Sequence, residues 1–257
     1  MKQSDKRLQT LLDILLLVVI FWIARYWHSG QFGLYEDDLT RIPHALQLPA
    51  KGLFQYLVSL FTHFEGQGRP FHPVFIYLFS WLGWRVAGHW GPYLIGFVIT
   101  AVNIGLFYWL IRRVSDRALA LLSSLAFVLY AADTTQAFLT HSLGLQPSAL
   151  LILLAMHGYL SGRRFLSYTL AFIVLFGYEL PFVIFAAVPL FKPSWNKHLL
   201  KELFLHGLIL AIMLGSVFAL RTYIGEDRVA GLTLRQLATT PILHMIQGPL
   251  VLSLIHI

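Results

Sequence analysis

Three features of the sequence predict an all-α, polytopic membrane protein. Of its 257 residues, 57% are hydrophobic and 12% are charged, whereas soluble domains carry about 25% charged residues. The mean hydropathy is +0.68. The lysines and arginines stand in short segments between apolar runs, as the orientation of membrane proteins requires. Most side chains are therefore expected to face lipid, and the net charge of +7 is not interpreted as a nucleic-acid-binding feature.

Residues 8–27 form the first predicted span, with a cytoplasmic N-terminus. The apolar run is too long for a signal peptide and no small-x-small cleavage site follows it, so we predict an uncleaved signal anchor. Asp13 is expected to snorkel from its first turns. Residues 28–50 contain Gly30, Gly33, Pro43 and Pro49, which predict an external loop.

Two segments after this loop predict helices that need not cross the bilayer. Residues 51–64 are apolar on one face and polar on the other, which predicts a short amphipathic helix in the interface. Residues 71–84 are apolar and aromatic but contain His72 and Pro73, so they could span or be re-entrant. If they do not span, eleven of the nineteen basic residues fall in short cytoplasmic segments, and we adopt this topology.

About seven spans result, and several are shorter than the roughly 20 residues that a straight helix needs. Besides residues 8–27, they are residues 93–111, 118–132, 143–160, 165–177, 180–191 and 204–223.

The end of the sequence suggests a truncated reading frame. Residues 252–257, Leu-Ser-Leu-Ile-His-Ile, match one translation of a transposon-end adapter that is used in DNA library preparation. We therefore expect an incomplete membrane domain over residues 1–251 and a non-native tail over residues 252–257.

The strongest candidate site is the acidic triplet that follows the first span. Glu36, Asp37 and Asp38 are three of only twelve acidic residues, and their predicted place is the outer membrane boundary, beside Arg41. A carboxylate here could act as general base towards an attacking hydroxyl, or Asp37 and Asp38 could hold Mg²⁺ or Mn²⁺. The competing interpretation is a solvated acidic loop.

Three further groups are predicted on the same side. Arg69 lies between Gly68 and Pro70 and could clamp a phosphate, with His72 nearby, or simply snorkel to lipid head groups. Asp133 and His141 flank the outer end of the third span, where a helix cap is the equal alternative. Glu179 occupies a tight external corner, where it needs a partner or a water-filled cavity, and structural pairing with an arginine is the alternative to a functional role.

The order of these features resembles that of the GT-C glycosyltransferases, a group that includes protein O-mannosyltransferase-like enzymes and bacterial polyprenyl-phosphate-sugar-dependent relatives. The stretches that carry the resemblance are residues 35–40, 68–70, 93–113 and 131–142, together with Tyr178-Glu179. Each motif is short and weak alone, and Asp133 comes earlier than the second-loop acidic residue of the family.

The resemblance implies transfer of a sugar from a polyprenyl-phosphate donor to a glycan, lipid or protein acceptor on the outer face of the cell (inner) membrane. Asp37 or Asp38 matches the catalytic position and would accept the proton of the acceptor hydroxyl in a single inverting displacement. Arg69, with Arg41 or His72, would stabilise the departing phosphate. A transporter or flippase of a lipid-linked precursor and a non-catalytic membrane scaffold are the alternatives.

Overall fold

A computed structural model describes residues 3–62, 68–130, 138–192 and 197–226, and every regular element in them is helical. The α-helices of these ranges are α1 (Gln3–Phe21), α2 (Asp38–Gln47), α3 (Ala50–Thr62), α4 (Phe71–Ala87), α5 (Gly91–Arg112), α6 (Arg117–Val128), α7 (Leu139–Leu160), α8 (Arg164–Leu175), α9 (Leu180–Phe185) and α10 (Lys197–Tyr223). The predicted all-α class is confirmed. The predicted tail at residues 252–257 lies outside the described residues.

Four helical stretches in these ranges are long and apolar enough to cross a membrane. They are Arg7–Gln31, Phe71–Arg112, Leu139–Leu160 and Lys197–Tyr223. The predicted spans in α6 and α8 are apolar but only twelve residues long, and residues 180–191 form the six-residue α9 followed by a 3₁₀ turn. The helices therefore have the character of a membrane protein, with fewer long spans than the seven predicted.

Helices α1, α5 and α7 define the two ends of the bundle. Helix α1 runs antiparallel to α5, because Asp13 contacts Tyr108 while Phe21 stacks on Phe97. Helix α7 runs parallel to α5, since both begin near Asp38 and end near the Arg112–Arg117 turn. We call the end that contains Asp38 the acidic end and the end that contains Arg117 the basic end.

A buried polar clamp joins α5 to α7 between these ends. The side-chain amide of Asn103 donates to the backbone carbonyl of Gln146 at 3.0 Å and to its Oε1 at 2.8 Å. Asn103 is fully buried and Gln146 is 8% exposed. Buried amides need such partners, so the pair aligns the two central helices in one register.

Asp13 is buried rather than snorkelling, which corrects the prediction for α1. Its Oδ2 accepts hydrogen bonds from the Tyr108 hydroxyl at 2.6 Å and from Nε of Arg117 at 2.8 Å, and its Oδ1 accepts from the Arg117 guanidinium at 2.7 Å. A buried carboxylate needs a paired cation, and Arg117 reaches it from the start of α6. Asp13 therefore ties α1, α5 and α6 together at the basic end.

The predicted external loop over residues 28–50 contains a helix, α2, which the glycine and proline content obscured. Asp38, Ile42 and Ala45 are buried on one face of α2, at a spacing of three to four residues. Pro43 lies inside α2. A loop was predicted because this helix is short and because proline normally ends helices.

Helices α3 and α4 follow, and α3 confirms the predicted amphipathic segment. His72 at the start of α4 approaches Gly144 in the first half of α7, and Gly83 lies against Gly91 at the start of α5. Both ends of α4 therefore contact the acidic half of the bundle. The topology adopted for residues 71–84 stays a prediction.

Helices α8 and α9 form a short hairpin against α7. Ser167 Oγ in α8 donates to the carbonyl of Ala155, while Gly177 at the end of the hairpin packs against Ser148. Ser148 lies nine residues after the start of α7 at Leu139, a rise of about 14 Å. The Tyr178-Glu179 corner is thus level with the middle of α7, deeper than the external corner predicted from the sequence.

Candidate functional site

Asp38 is completely buried at the acidic end, where it caps α7. Its Oδ2 accepts a hydrogen bond from the backbone N–H of Leu139 at 2.9 Å, and its Oδ1 accepts one from Thr140 N–H at 2.7 Å. The first N–H groups of a helix have no partner within the helix, and the positive end of the helix dipole favours a negative charge there. Asp38 therefore joins the start of α2 to the start of α7.

Asp37 has the opposite environment, because its side chain is 73% exposed. Its Oδ2 lies 3.8 Å from Nε of Arg41, one turn further along α2. Glu36, just before it, is exposed and has a positive φ of 46°, a conformation that non-glycine residues seldom adopt. The backbone of Glu36 thus turns the chain so that Asp37 faces solvent while Asp38 faces the protein.

His72 lies at the centre of the predicted site residues. Its imidazole is within electrostatic range of Asp37, Arg41, Arg69 and His141. These residues come from the start of α2, the turn before α4 and the first turn of α7. One exposed carboxylate, two arginines and a second imidazole therefore act electrostatically on the His72 ring.

A glycine in α7 gives His72 its position. A Cβ atom at Gly144 would lie 2.5 Å from Nε2 of His72, closer than real Cβ contacts. No other residue type could occupy position 144 without displacing the imidazole or the helix. Gly144 was not predicted from the sequence, since a lone glycine in an apolar helix has no distinguishing pattern.

Arg69 and Glu179 form an ion pair, so Glu179 has the arginine partner that was the alternative interpretation of its corner. The Arg69 guanidinium also lies over the Tyr178 ring, 5.3 Å from its centroid. The backbone N–H of Phe71 donates to the carbonyl of Phe176 at 3.0 Å. The turn before α4 is thus held on the α8–α9 corner.

Two residues at the end of α10 extend this ion pair. Nη1 of Arg221 lies 3.7 Å from Oε1 of Glu179, and Nε of Arg221 lies 3.5 Å from Oε2 of Glu226. The Glu226 side chain is 5% exposed. We call Arg69, Glu179, Arg221 and Glu226 the alternating charge network. Arg221 and Glu226 were not predicted, because a charge after an apolar helix is typical of any span end.

Of the predicted site residues, Asp37, Arg41, Arg69 and His141 therefore all lie within electrostatic range of His72, and Glu179 pairs with Arg69. Asp38 accepts hydrogen bonds from the start of α7 and so fixes the start of α2 there. Glu36 adopts the positive φ of the turn that precedes α2. Asp133 lies outside the described residues.

The predicted two-carboxylate cation site does not fit the observed geometry. Asp38 is engaged by the backbone of α7, whereas Asp37 pairs with Arg41. Among the residues that the structure describes, no three histidine, aspartate or glutamate side chains are grouped so that they could hold a metal ion. The two aspartates therefore face different partners and do not converge on one cation.

Comparison of the chain with protein-family models, with curated proteins and with solved structures finds no significant match. The function is therefore inferred from the residues, contacts and charges described above.

Proposed function

We propose that the protein is a membrane glycosyltransferase that moves a sugar from a polyprenyl-phosphate donor to the hydroxyl of an acceptor at the acidic end of the bundle. The observation that carries the proposal is the position of the exposed Asp37 carboxylate near His72, Arg41, Arg69 and His141. Such a site offers a base to the acceptor hydroxyl and cations to the phosphate of the donor. It stands at the end of helices with the apolarity of membrane spans.

Asp37 is the general base in this proposal. Its carboxylate accepts the proton of the acceptor hydroxyl while the acceptor oxygen attacks the anomeric carbon of the donor. The bond between that carbon and the phosphate oxygen breaks with inversion, and the electron pair leaves with the polyprenyl phosphate. Asp38 is the positioning residue, because both of its oxygens already accept hydrogen bonds from α7.

The leaving phosphate gains negative charge as the sugar departs, so the proposal places it beside cations. Arg69 is the principal candidate, since its guanidinium fork matches the geometry of a phosphate. Arg41 and His72 supply further hydrogen-bond donors within the same group. Removal of one such donor typically costs about 10²–10³ in kcat in comparable sites.

The proposal includes the membrane arrangement that the resemblance to GT-C enzymes implies. The N-terminus and the basic end would face the cytoplasm, and the acidic end would face the extracytoplasmic side of the cell membrane. The seven-span version requires α6, α8 and the α9 region to cross as well. Twelve residues of helix rise about 18 Å against a hydrocarbon thickness of about 30 Å, so these crossings would need a thinned bilayer.

The test is sugar transfer from a radiolabelled polyprenyl-phosphate donor in membranes that contain the protein. Asp37→Asn should lower the rate at least about a hundredfold, in the range for a lost general base, without changing thermal stability. Glu202→Gln, in the separate ion network of Lys192 and Arg164 at the basic end, is the control and should retain transfer. Full activity of Asp37→Asn would overturn the assignment.

One observation favours a proton-coupled carrier of a lipid-linked precursor as a second candidate. Glu226 is a buried carboxylate beside Arg221, just after the apolar helix α10, and buried carboxylates with a cationic partner also occur in the proton relays of transporters. The same membranes, reconstituted as vesicles, distinguish the two. A transporter moves the labelled lipid across the bilayer with its sugar intact, whereas a transferase releases the sugar to the acceptor. A non-catalytic scaffold does neither.

A further inference from the structure

Glu179 is shared by two arginines. Its Oε1 pairs directly with Arg69 and lies 3.7 Å from Nη1 of Arg221, while its Oε2 has no hydrogen-bond partner. The Glu179 side chain is 36% exposed, compared with 17% for Arg69 and 12% for Arg221. Glu179 is thus the least buried side chain of the three, although its Oε2 is itself buried, and its carboxylate has a second cation within reach.

Arg221 is held in place independently of Glu179. Its Nη2 donates to the backbone carbonyl of Leu175 at 3.1 Å, and the Glu226 carboxylate lies on its other side. Arg221 Nε is buried without a hydrogen-bond partner. A carboxylate that moved from Arg69 towards Arg221 would therefore meet a fixed guanidinium, whose Nη1 already lies 3.7 Å from Oε1 of Glu179.

Arg69 is the member of the alternating charge network that faces the proposed site, because it lies within electrostatic range of His72. When an anion approaches Arg69, the positive charge of the Arg69 guanidinium is already neutralised by Glu179. The full attraction is available only if Glu179 moves away, and that movement is favourable only if another cation receives the carboxylate.

We propose that Glu179 is an exchangeable carboxylate: it neutralises Arg69 in the empty protein and transfers to Arg221 when a phosphate group binds Arg69. The inference depends on the proposed function for the identity of the phosphate as that of a lipid-linked donor. Arg221 is then a positioning residue that never contacts the phosphate. The exchange keeps Glu179 paired with an arginine, and Arg69 paired with an anion, throughout binding.

The test is titration of the detergent-purified protein with inorganic phosphate, followed by calorimetry. Glu179→Gln leaves Arg69 uncompensated and should tighten phosphate binding about five- to tenfold, the size of a typical coupling between sites. Arg221→Gln removes the alternative partner and should weaken binding by a similar factor. In the Glu179→Gln background, Arg221→Gln should have no further weakening effect, because no carboxylate remains to be received.

Two controls separate this exchange from general damage. Arg221→Lys keeps the cation and should bind phosphate within about twofold of the unmodified protein, even if Arg221→Gln proves too unstable to titrate. Glu202→Gln changes an ion network elsewhere and should leave phosphate binding unaltered. Weaker binding by Glu179→Gln, or equal weakening by Arg221→Gln in both backgrounds, would overturn the exchange.

The outcome is also separable from that of the proposed function. If the phosphate titrations follow the predicted signs but no sugar is transferred, the exchange stands and the transferase assignment fails. If sugar is transferred and the titrations show the opposite signs, the transferase stands and Glu179 is a fixed part of the structure.

Discussion

Two adjacent aspartates at the start of α2 have opposite surroundings, and this difference gives them separate roles. Asp38 is buried and accepts two backbone hydrogen bonds from α7, whereas Asp37 is mostly exposed and contacts only Arg41 among the charged groups that the structure describes near it. A buried acceptor is costly to remove because its donors are left without partners. An exposed carboxylate has little structural cost and is available for chemistry.

Asp38→Ala should therefore destabilise the protein by about 1–3 kcal/mol, the usual cost of buried donors left unsatisfied. Thermal unfolding in detergent, followed by circular dichroism, measures the change. Asp37→Ala is the matched control and should leave the unfolding temperature unchanged while it abolishes sugar transfer. The opposite pattern would contradict this division of roles. In that pattern Asp37→Ala is less stable but still transfers sugar, whereas Asp38→Ala is fully stable but does not.

Gly144 sets the distance between α7 and His72. Gly144→Ala should displace the imidazole and lower the rate of sugar transfer about tenfold, while overpacking costs about 1–3 kcal/mol of stability. Gly215→Ala in α10 is the control, since a Cβ there meets nothing within 4 Å and alanine favours a helix. Transfer rates and unfolding temperatures of both variants check the prediction, and equal behaviour of the two would rule it out.

At the scale of elements, the contact between α5 and α7 organises the bundle. Gly96 lets α5 approach Ser142 closely, and the Asn103–Gln146 clamp fixes the register of the two helices. In lipid, contact between helices removes no apolar surface from water. Helix association therefore depends mainly on close packing at small residues and on interhelical hydrogen bonds.

Asn103→Leu should destabilise the protein by about 1 kcal/mol, because interhelical hydrogen bonds in membrane proteins average about 0.6 kcal/mol each and two are lost. The double variant Asn103→Leu/Gln146→Leu should recover part of this loss, since it leaves no side-chain amide unpaired. Unfolding in graded denaturant detergent measures both. A double variant that loses the sum of the single effects would show that the clamp is not a coupled pair.

The long helices could be predicted from the sequence, because a run of apolar residues in lipid has to satisfy its backbone within a helix. Helix α2 could not, since ten residues with a proline lack a strong pattern. The candidate site was predicted through its unusual charges, Asp37, Arg69 and Glu179. The role of Arg221 was not predicted, because its approach to Glu179 depends on the relative tilt of helices that are far apart in sequence.

At the scale of the whole molecule, the contacts imply a sidedness that can be measured. The hydroxyl of Tyr93 donates to the carbonyl of Gly33, and Trp22 packs on Trp90. The segment between α4 and α5 therefore lies at the acidic end, together with the acidic triplet. The turn between α5 and α6 and the end of α7 lie at the basic end.

Because the chain contains no cysteine, single cysteines can report this sidedness without background. Gly33→Cys and His89→Cys should react with an impermeant maleimide from one side of the membrane. Ser115→Cys and Ser161→Cys should react only from the other side. Labelling of Gly33→Cys and His89→Cys from opposite sides would show that α4 crosses the bilayer.

The cap that Asp38 provides has a consequence for how the chain is made. Asp38 and Leu139 are separated by 101 positions, so at about 5–20 residues per second the ribosome finishes α2 some seconds before α7 emerges. The exposed N–H groups at the start of α7 would be costly in the bilayer until they find an acceptor. Because Asp38 is synthesised first, the start of α7 finds its hydrogen-bond acceptor already present when α7 is inserted.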